Sequence, residues 1–354
     1  MRRHFLLPLT TLAAAISLTL FASAAAKTLD IYFIDVEGGQ STLIVTPEGE
    51  SLLVDTGFAG QSFNDTVTNH GRDAGRIMAA AREAGLQRID YLLITHFHAD
   101  HDGGVVDVAA QIPIDTFIDH DTVADEADRG VPGTTDAFKL YAAVRAKARR
   151  HIVAKPGDRI PLKGVDVTIV SSAGATIRSA LNGGGARNTM CSAPLIAANE
   201  TRENPRSTGF VLQSGSFRFA DLGDLSGQPL SDLFCPTDLL GPVDVYLVAH
   251  HGGNDAAVPA SFSALKPRVS LLNNGEAKGG GADIFKLLHT LTGTDVWQLH
   301  RTRNAGAVNF AEERIANLDE TSGHWLKLSA ESDGSFILTN GRTGKSQNYA
   351  RAAR

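Results

Sequence analysis

Short apolar segments separated by glycine, proline and polar residues run through the chain from residue 29 onward. The first three segments are interrupted only by Glu37-Gly38-Gly39 and Pro47-Glu48-Gly49, a pattern that is typical of a β-meander. The residues that follow keep a helical period up to Gly85, which can act as a C-cap. These first elements are predicted as strands at 29–36, 41–46 and 51–55 and a helix at about 75–84.

Strands and helices continue to alternate over the rest of the chain, which predicts an α/β fold. No repeat period and no low-complexity linker divides it, so we expect a single domain over 27–354. The segment 173–206 is rich in Gly, Asn, Ala and Arg without a period and is predicted as a long loop. The later strands are predicted at 89–95, 165–171, 209–213, 217–220, 243–248, 269–272 and 295–299, the later helices near 136–150 and 284–291, and a final hairpin at Asp333-Gly334.

Composition narrows the class of protein without assigning a function. Of 354 residues, 43% are hydrophobic and 20% charged, which is ordinary for a globular protein and excludes a disordered or coiled-coil chain. The 33 lysines and arginines are outnumbered by 39 aspartates and glutamates, which gives a net charge of -6. Binding to nucleic acid is therefore not favoured, although a local basic patch would still permit it.

The N-terminus has the order of features found in a secretory signal peptide. Arg2 and Arg3 precede an apolar stretch, and small residues follow near Ala24. The opening also resembles a twin-arginine export signal, with Met1 in place of the usual Ser or Thr. A membrane anchor is the alternative, since the apolar run is close to the lower length limit for a span. We expect a signal peptide at 1–26 and a periplasmic or secreted mature protein, without a transmembrane segment because no other apolar run is long enough.

The chain has two cysteines, Cys191 and Cys235. Two are too few for a disulfide framework, but an oxidising compartment would allow a single bridge. Neither cysteine has the CxxC or zinc-finger spacing of a thiolate metal site. The sequence leaves open whether the two residues pair.

Four predicted strands each end in residues that can bind metal ions. If these strands lie in one sheet and run in one direction, the four clusters meet at one edge, where open α/β sheets carry their sites. The clusters are Asp55 after 51–54, His96-Phe97-His98-Ala99-Asp100-His101 after 91–95, Asp224 after 217–222 and His250-His251 after 245–249. Four coincidences of this kind are difficult to explain by packing alone.

The histidine-rich cluster is the most specific of the four. His96 and His98 alternate and therefore project to one side of an extended segment, while Asp100 and His101 follow directly. Neighbouring residues can thus hold two adjacent ions, and nitrogen and oxygen ligands suit zinc, with manganese or iron as alternatives. Asp224 can bridge the two ions, because a carboxylate offers one oxygen to each.

Together these segments resemble the metallo-β-lactamase superfamily, and the resemblance covers nearly the whole mature chain. The motifs that carry it are the HxHxDH element at 96–101, Asp55-Thr56-Gly57, Gly223-Asp224 and His251-Gly252. The opening at Asp35 and the segment His250-His251-Gly252-Gly253 are similar to the branch that contains the hydrolase domain of competence-type ComEC proteins and phosphorylcholine esterases. The resemblance implies an αββα sandwich, two mixed sheets flanked by helices, with a binuclear site between the sheets.

The resemblance also implies a ligand set for two divalent metal ions. Carried over position by position, the residues divide into His96, His98 and Asp224 for one ion and Asp100, His101, Asp224 and His251 for the other. Two such ions lower the pKa of a bridging water and polarise the scissile bond, so that a bridging hydroxide attacks and no protein nucleophile is needed.

Further roles are predicted from the positions of residues near these ligands. His250 and Asp100 are predicted as catalytic residues: His250 would stabilise a developing oxyanion or protonate a leaving group, and a place behind the ligands is its alternative role. Asp55 is predicted to accept a hydrogen bond from a ligand histidine and so to orient it. His300 follows a strand and could reach a substrate anion, with an ordinary surface position as the alternative.

One departure from the family pattern affects the expected substrate. Most lactonase-like and β-lactamase-like members have a further ligand histidine before the bridging aspartate, whereas no histidine lies between His151 and His250 here. His151 is a poor candidate for that ligand, and Glu203-Asn204 occupies the expected neighbourhood. We therefore predict a metal-dependent hydrolase of a small-molecule phosphodiester or other ester. The alternatives are a lactone or amide hydrolase and a catalytically silent metal-binding module.

Overall fold

The structure, a computed structural model, describes residues 27–60, 71–123, 131, 134–191 and 203–352. The predicted signal peptide at 1–26 lies outside the described residues, as does the part of the predicted loop at 192–202. Among the helices that are described, none is long and apolar enough to cross a membrane.

Strands and helices alternate as the sequence predicts. The strands are β1 (Leu29–Phe33), β2 (Thr42–Val45), β3 (Ser51–Val54), β4 (Ile89–Leu93), β5 (Ile114–Asp119), β6 (Arg150–Val153), β7 (Arg159–Ile160), β8 (Asp166–Ser172), β9 (Ala175–Thr176), β10 (Gly209–Ser214), β11 (Phe217–Asp221), β12 (Val245–Leu247), β13 (Val269–Leu272), β14 (Asp295–His300), β15 (Ile315–Asn317), β16 (Leu326–Ala330), β17 (Phe336–Asn340) and β18 (Ser346–Tyr349). The α-helices are α1 (Arg72–Glu83), α2 (Val105–Ala109), α3 (Thr134–Arg145), α4 (Gly227–Phe234), α5 (Pro259–Leu265) and α6 (Ala282–Thr290).

The strands form two mixed sheets. The first has the order β18-β17-β16-β1-β2-β3-β4-β5-β6, and β3 to β6 run parallel. The second has the order β15-β14-β13-β12-β11-β10-β8-β7, and β11 to β15 run parallel. Each sheet therefore combines a parallel half with an antiparallel half.

The alternating pattern of β1 shows how the layers pack. Leu29, Ile31 and Phe33 belong to a core between the two sheets, where the Phe33 ring lies 5.8 Å from that of Phe219 on β11. Tyr32 points the other way, into a second core beneath α1 to α3. A third core lies between the second sheet and α4 to α6. The αββα arrangement predicted from the resemblance is confirmed.

One predicted helix is too long at its C-terminus. The helix expected at 136–150 ends at Arg145, and Arg150–Val153 instead pairs in parallel with β5 at the edge of the first sheet. The edge of a sheet offers unpaired backbone groups, and pairing there outweighs the local helical preference of this segment. The strand that it pairs with, Ile114–Asp119, was itself not predicted.

Cys191 and Cys235 form a disulfide, with an Sγ–Sγ distance of 2.11 Å. Cys235 directly follows α4, so the bridge fastens the segment around residue 191 to the end of that helix. Because both sulfur atoms are used, neither cysteine is a thiolate metal ligand.

Candidate metal centre

Four strands end at the same rim of the molecule, two from each sheet. β3 and β4 are parallel neighbours in the first sheet, and β11 and β12 are parallel neighbours in the second. The four strands therefore belong to two sheets and not to one, the condition under which the sequence placed their clusters at a common edge. Their clusters still meet, because parallel strands end at one edge of a sheet and here the two edges face each other across the inter-sheet core.

Four side chains bring one atom each to a common point at this rim. His101 Nε2 lies 3.2 Å from Asp100 Oδ2 and 3.3 Å from Asp224 Oδ2. His251 Nε2 lies 3.2 Å from each of the same two oxygens. All four residues are buried, and their ligand atoms lie within 4.8 Å of one another.

These distances fit a bound metal ion. Ligand atoms about 2.0–2.1 Å from a tetrahedral zinc ion are separated by roughly 3.3 Å, close to the distances between these four atoms. Within the described residues, His101 Nε2, His251 Nε2 and Asp224 Oδ1 are buried and have no hydrogen-bond partner. Buried polar atoms of this kind are costly unless something binds them. The donor set of two imidazoles and two carboxylates suits a divalent cation.

The other two predicted ligands lie beside this group. His96 Nε2 is 2.9 Å from His98 Nδ1 and 3.9 Å from Asp224 Oδ2. The two imidazoles are therefore close to each other, and His96 is close to the Asp224 carboxylate. These two histidines are the residues that would hold a second ion in the division of ligands that the resemblance implies.

The two carboxylates of the centre are held in the ionised form that a cation requires. Burial alone would raise the pKa of Asp100, but the charges of Lys278 and His101 outweigh it and hold this pKa well below its usual range. Burial opposes ionisation of Asp224 in the same way, and His251 and His101 hold its pKa well below normal. Both carboxylates are therefore ready to bind a metal ion.

The histidines differ from one another in protonation. Burial, reinforced by His101 and His98, lowers the pKa of His96 well below its usual value, so its ring is neutral as a ligand must be. Burial acts on His101 in the same direction, but Asp224 and Asp100 raise its pKa well above the usual value. A metal ion that binds His101 would therefore displace a proton.

Asp55 fixes the orientation of one ligand. Its Oδ2 lies 2.7 Å from His101 Nδ1 and accepts a hydrogen bond of 2.7 Å from the Thr95 hydroxyl, while Oδ1 accepts one of 2.8 Å from the Thr95 backbone N–H. Asp55 is completely buried, and it makes these contacts from a left-handed backbone conformation with φ of 58°. From this position Asp55 can orient the His101 ring.

His250 and His251 also have left-handed backbone conformations, with φ of 50° and 52°. Such conformations are unfavourable for residues with a Cβ and persist where the surrounding structure imposes them, often at functional sites. Here they let two consecutive residues contribute to one site: His251 joins the group of four, while His250 Nε2 lies 3.7 Å from Asp224 Oδ2.

His250 has two further partners and a perturbed pKa. Its Nδ1 lies 2.7 Å from Asp255 Oδ2, and its Nε2 lies 3.2 Å from Asn204 Nδ2. Burial opposes its charged form, but the Asp224 charge and the bond to Asp255 prevail and raise its pKa to about 9. The His250 side chain is 31% exposed, so it is accessible from solvent at the edge of the centre.

Two other histidines singled out from the sequence lie elsewhere. His151 Nε2 is 2.9 Å from Asp119 Oδ1 on β5, so the structure does not bring it to the ligands. His300 is fully buried rather than at the surface, and its Nε2 lies 2.9 Å from Asp35 and 3.1 Å from Glu37. Arg76 forms ion pairs with both of these carboxylates. The negative charges of Asp35 and Glu37 are therefore already balanced by Arg76 and His300.

Several residues near the centre were not predicted from the sequence. The Lys278 ammonium contacts the Asp100 carboxylate. Glu203 accepts a hydrogen bond of 3.1 Å from the Phe97 N–H and lies 3.0 Å from His120, which carries no motif. For these residues the sequence carried one signal: Glu203-Asn204 stands in the neighbourhood where a ligand histidine was expected.

Comparisons with known proteins agree with this geometry. Residues 34–182 match the family model described as "Metallo-beta-lactamase superfamily". This segment contains Asp55 and the whole HxHxDH element. None of the curated protein sequences matches the chain significantly.

Similar solved structures include a metallo-β-lactamase of Cronobacter sakazakii with an altered HARLDQ motif, 18% identical over 55% of this chain and 60% of that one, with a TM-score of 0.33. The chain thus spans about three fifths of that enzyme. Igni18, a metallo hydrolase of Ignicoccus hospitalis, is 13% identical over 79% of this chain and 100% of its own, with a TM-score of 0.40. CmlA, a diiron β-hydroxylase of Streptomyces venezuelae, is 14% identical over 68% and 44%, with a TM-score of 0.37. The family model over residues 34–182 and the two helix-flanked mixed sheets with their His/Asp cluster confirm the resemblance to the metallo-β-lactamase superfamily.

Proposed function

We propose that the protein is an exported binuclear metal-dependent hydrolase of phosphodiesters or other esters. The observation that carries this proposal is the convergence of Asp100, His101, Asp224 and His251, in which each histidine Nε2 lies 3.2–3.3 Å from both carboxylate oxygens, with His96 and His98 adjacent. Divalent ions held there would lower the pKa of a bound water to yield a nucleophile and would polarise the bond under attack.

The chain's own residues contribute orientation and proton transfer. Asp55 keeps the His101 ring turned towards the ligands through its contact with Nδ1. The pKa of His250 is raised to about 9, and its side chain is partly exposed. At neutral pH it therefore carries a proton that it can give to a leaving oxygen. Asp255 holds the His250 ring in place from its far side at 2.7 Å.

The proposal favours esters over lactones and β-lactams because of the segment at Glu203-Asn204. Glu203 accepts a hydrogen bond from the Phe97 N–H and contacts His120, and Asn204 contacts His250, so the segment lies beside the centre. The resemblance implies that most β-lactamase-like members have a ligand histidine in this neighbourhood. With an amide rather than an imidazole beside His250, an ion held by His96 and His98 would have fewer protein ligands. The similarity to the phosphorylcholine esterase branch stays a prediction.

The test is metal content of the purified protein together with hydrolysis of bis-p-nitrophenyl phosphate, p-nitrophenyl acetate and a lactone. We expect about two equivalents of metal and activity on one of the first two substrates, and both should fall in Asp224→Ala. Asp166→Ala is the matched control, because Asp166 is 64% exposed and its ion pair is with the exposed Arg159. A preference for the lactone would contradict the substrate class, and a metal-free, inactive wild type would favour a silent binding module.

Export is proposed from residues 1–26, which lie outside the described residues. It is tested by expressing the full chain and following its size and location. Processing near residue 27 with recovery outside the cytoplasm would support export, and an unprocessed cytoplasmic product would contradict it. Substitution of Arg2 and Arg3 by lysine would distinguish the twin-arginine route, which requires the arginine pair.

A further inference from the structure

The loop between β13 and α6 places one lysine at the mouth of the metal centre. This loop is fixed against the ligand His251: the Gly280 N–H donates to the His251 carbonyl at 2.9 Å. Gly279, with φ of 68°, packs so closely that an added Cβ would lie 2.5 Å from the His251 Cβ. The backbone of the neighbouring Lys278 is therefore held in a defined position beside the ligands.

Lys278 lies at the boundary between the buried ligands and solvent. Its Nζ contacts Asp100 Oδ2 and donates a hydrogen bond of 2.9 Å to the Gly38 carbonyl, and its side chain is 43% exposed. The Phe58 ring lies 5.6 Å from the ammonium and covers another side of it. Among the described residues, Lys278 is the one basic side chain of the lysine or arginine type that forms an ion pair with Asp100 or Asp224.

The oxygen that Lys278 contacts is also the oxygen that a metal ion would use. Asp100 Oδ2 is one corner of the group of four ligand atoms, 3.2 Å from both His101 Nε2 and His251 Nε2. A dication bound there would weaken the attraction between Asp100 and the ammonium and would itself repel it. Lysine has a flexible stem and three donors, so its head group is free to turn to another anion within reach.

We propose that Lys278 binds the anionic oxygen of the substrate, so that the centre selects esters that carry a negative charge at the reacting group. This inference rests on the proposed hydrolase function and narrows its substrate class to phosphodiesters rather than neutral carboxylic esters. An ammonium beside a metal pair supplies a charge-assisted hydrogen bond to a non-bridging phosphoryl oxygen, which a neutral ester does not have.

The first test measures binding without turnover. Inorganic phosphate is titrated calorimetrically into the zinc-loaded wild type and into Lys278→Gln, Lys278→Arg and Lys345→Gln, the last a charge-matched control from an exposed position between β17 and β18. We expect Lys278→Gln to weaken phosphate binding by roughly 10- to 100-fold, the range of one charge-assisted hydrogen bond. Lys278→Arg should keep most of the affinity, and Lys345→Gln should match the wild type.

The outcomes separate this inference from the proposed function. Equal phosphate affinity in wild type and Lys278→Gln, or no binding to either, would overturn the role of Lys278 even if the enzyme hydrolyses esters. Loss of zinc from Lys278→Gln would overturn it too, because the lysine would then support the ligands rather than the substrate. A wild type that binds phosphate through Lys278 but hydrolyses nothing would instead contradict the hydrolase function.

The second test uses the same leaving group on both substrate classes. In Lys278→Gln, kcat/KM for bis-p-nitrophenyl phosphate should fall by about 10- to 100-fold, while that for p-nitrophenyl acetate stays within about twofold of wild type. An equal fall for both substrates would mean that Lys278 acts on the metal pair and would contradict charge selection.

Discussion

Gln40 donates hydrogen bonds from Nε2 to both carboxylate oxygens of Asp221, at 3.1 Å to Oδ1 and 3.0 Å to Oδ2. Gln40 follows β1 in the first sheet, and Asp221 ends β11 in the second, so the pair joins the two sheets. The backbone N–H of Gln40 also donates to the Asp100 carbonyl at 3.1 Å, and Asp221 accepts from the Gly223 N–H at 3.0 Å. Gln40 thus connects, through its backbone N–H and its side chain, the segments that carry two of the proposed ligands.

The Asp221 carboxyl should make stability depend on pH. Burial raises its pKa to about 7, against bonds from Gly223 and Gln40 that lower it. The folded protein therefore holds a proton that the unfolded chain releases near pH 4, so this group's contribution to the free energy of unfolding falls as pH rises from about 4 to 7 and is level above.

This dependence is measurable by urea unfolding of the chelator-treated protein at pH 5, 6, 7 and 8. Asp221→Asn keeps an acceptor for Gly223 but does not titrate, so its stability should decline less than that of the wild type over this range. Asp166→Asn serves as the exposed control. Parallel pH profiles for wild type and Asp221→Asn would contradict the raised pKa.

Asp55→Asn should weaken metal binding more than it destabilises the fold. Asparagine tolerates the left-handed backbone at this position, but it replaces the charged acceptor of His101 Nδ1 by a neutral amide. Loss of such an orienting carboxylate typically costs about 10- to 100-fold in metal affinity. Zinc affinity is measured by competition with a chromophoric chelator, and a variant with wild-type affinity would show that Asp55 has only a structural role.

His250→Gln should retain its metal ions and lose activity, by roughly 10²- to 10⁴-fold for a general acid. If His250 donates a proton, the rate of the wild type should fall as pH rises through the pKa of this residue, which is about 9 before metal binds. Asp255 helps to raise that pKa, so Asp255→Asn should move the fall in rate to lower pH. Unchanged kcat in His250→Gln at full metal content would exclude a role in catalysis.

Alanine substitutions at two glycines with nearly the same φ should distinguish the cost of backbone strain from the cost of a steric clash. Gly252 has φ of 68° next to His251, and a Cβ there would lie 2.2 Å from Leu272 Cδ2, whereas Gly344 has φ of 67° and open space around it. Gly344→Ala should therefore cost only the backbone term, about 1 kcal/mol. Gly252→Ala should cost several kcal/mol and reduce metal affinity by moving His251, as measured by urea unfolding and zinc competition. Similar losses in the two variants would show that Leu272 yields to the added carbon.

The sequence was sufficient to identify candidate ligands that lie close together along the chain. The HxHxDH element places four candidate ligands in one short segment after a buried strand, so its identity did not depend on how distant parts of the chain meet. The end of a strand before Asp224 or His251 was equally visible, because an apolar run stops at a polar residue. What the pattern could not show was which sheet each strand joins, since apolar runs of both sheets look alike.

Contacts between segments that are distant along the chain could not be predicted from the sequence. Lys278 lies 178 positions from Asp100, and Gln40 lies 181 positions from Asp221, so only the complete topology brings either pair together. Lys278 stands in a glycine-rich loop without a motif, and Gln40 is a neutral residue in a turn. Residues of these types gain a function from their surroundings, and the sequence alone does not describe those surroundings.

Because the ligands come from both sheets, a bound metal ion would also stabilise the fold. Asp100 and His101 come from the first sheet and Asp224 and His251 from the second, so an ion held by all four acts as a cross-link between the two halves of the molecule. Binding that occurs only in the folded state stabilises it by about 2.7 kcal/mol when free metal is 100 times its dissociation constant. Scarcity of metal would therefore reduce the lifetime of the protein against unfolding and proteolysis, and the amount of enzyme would follow the metal supply along with its rate.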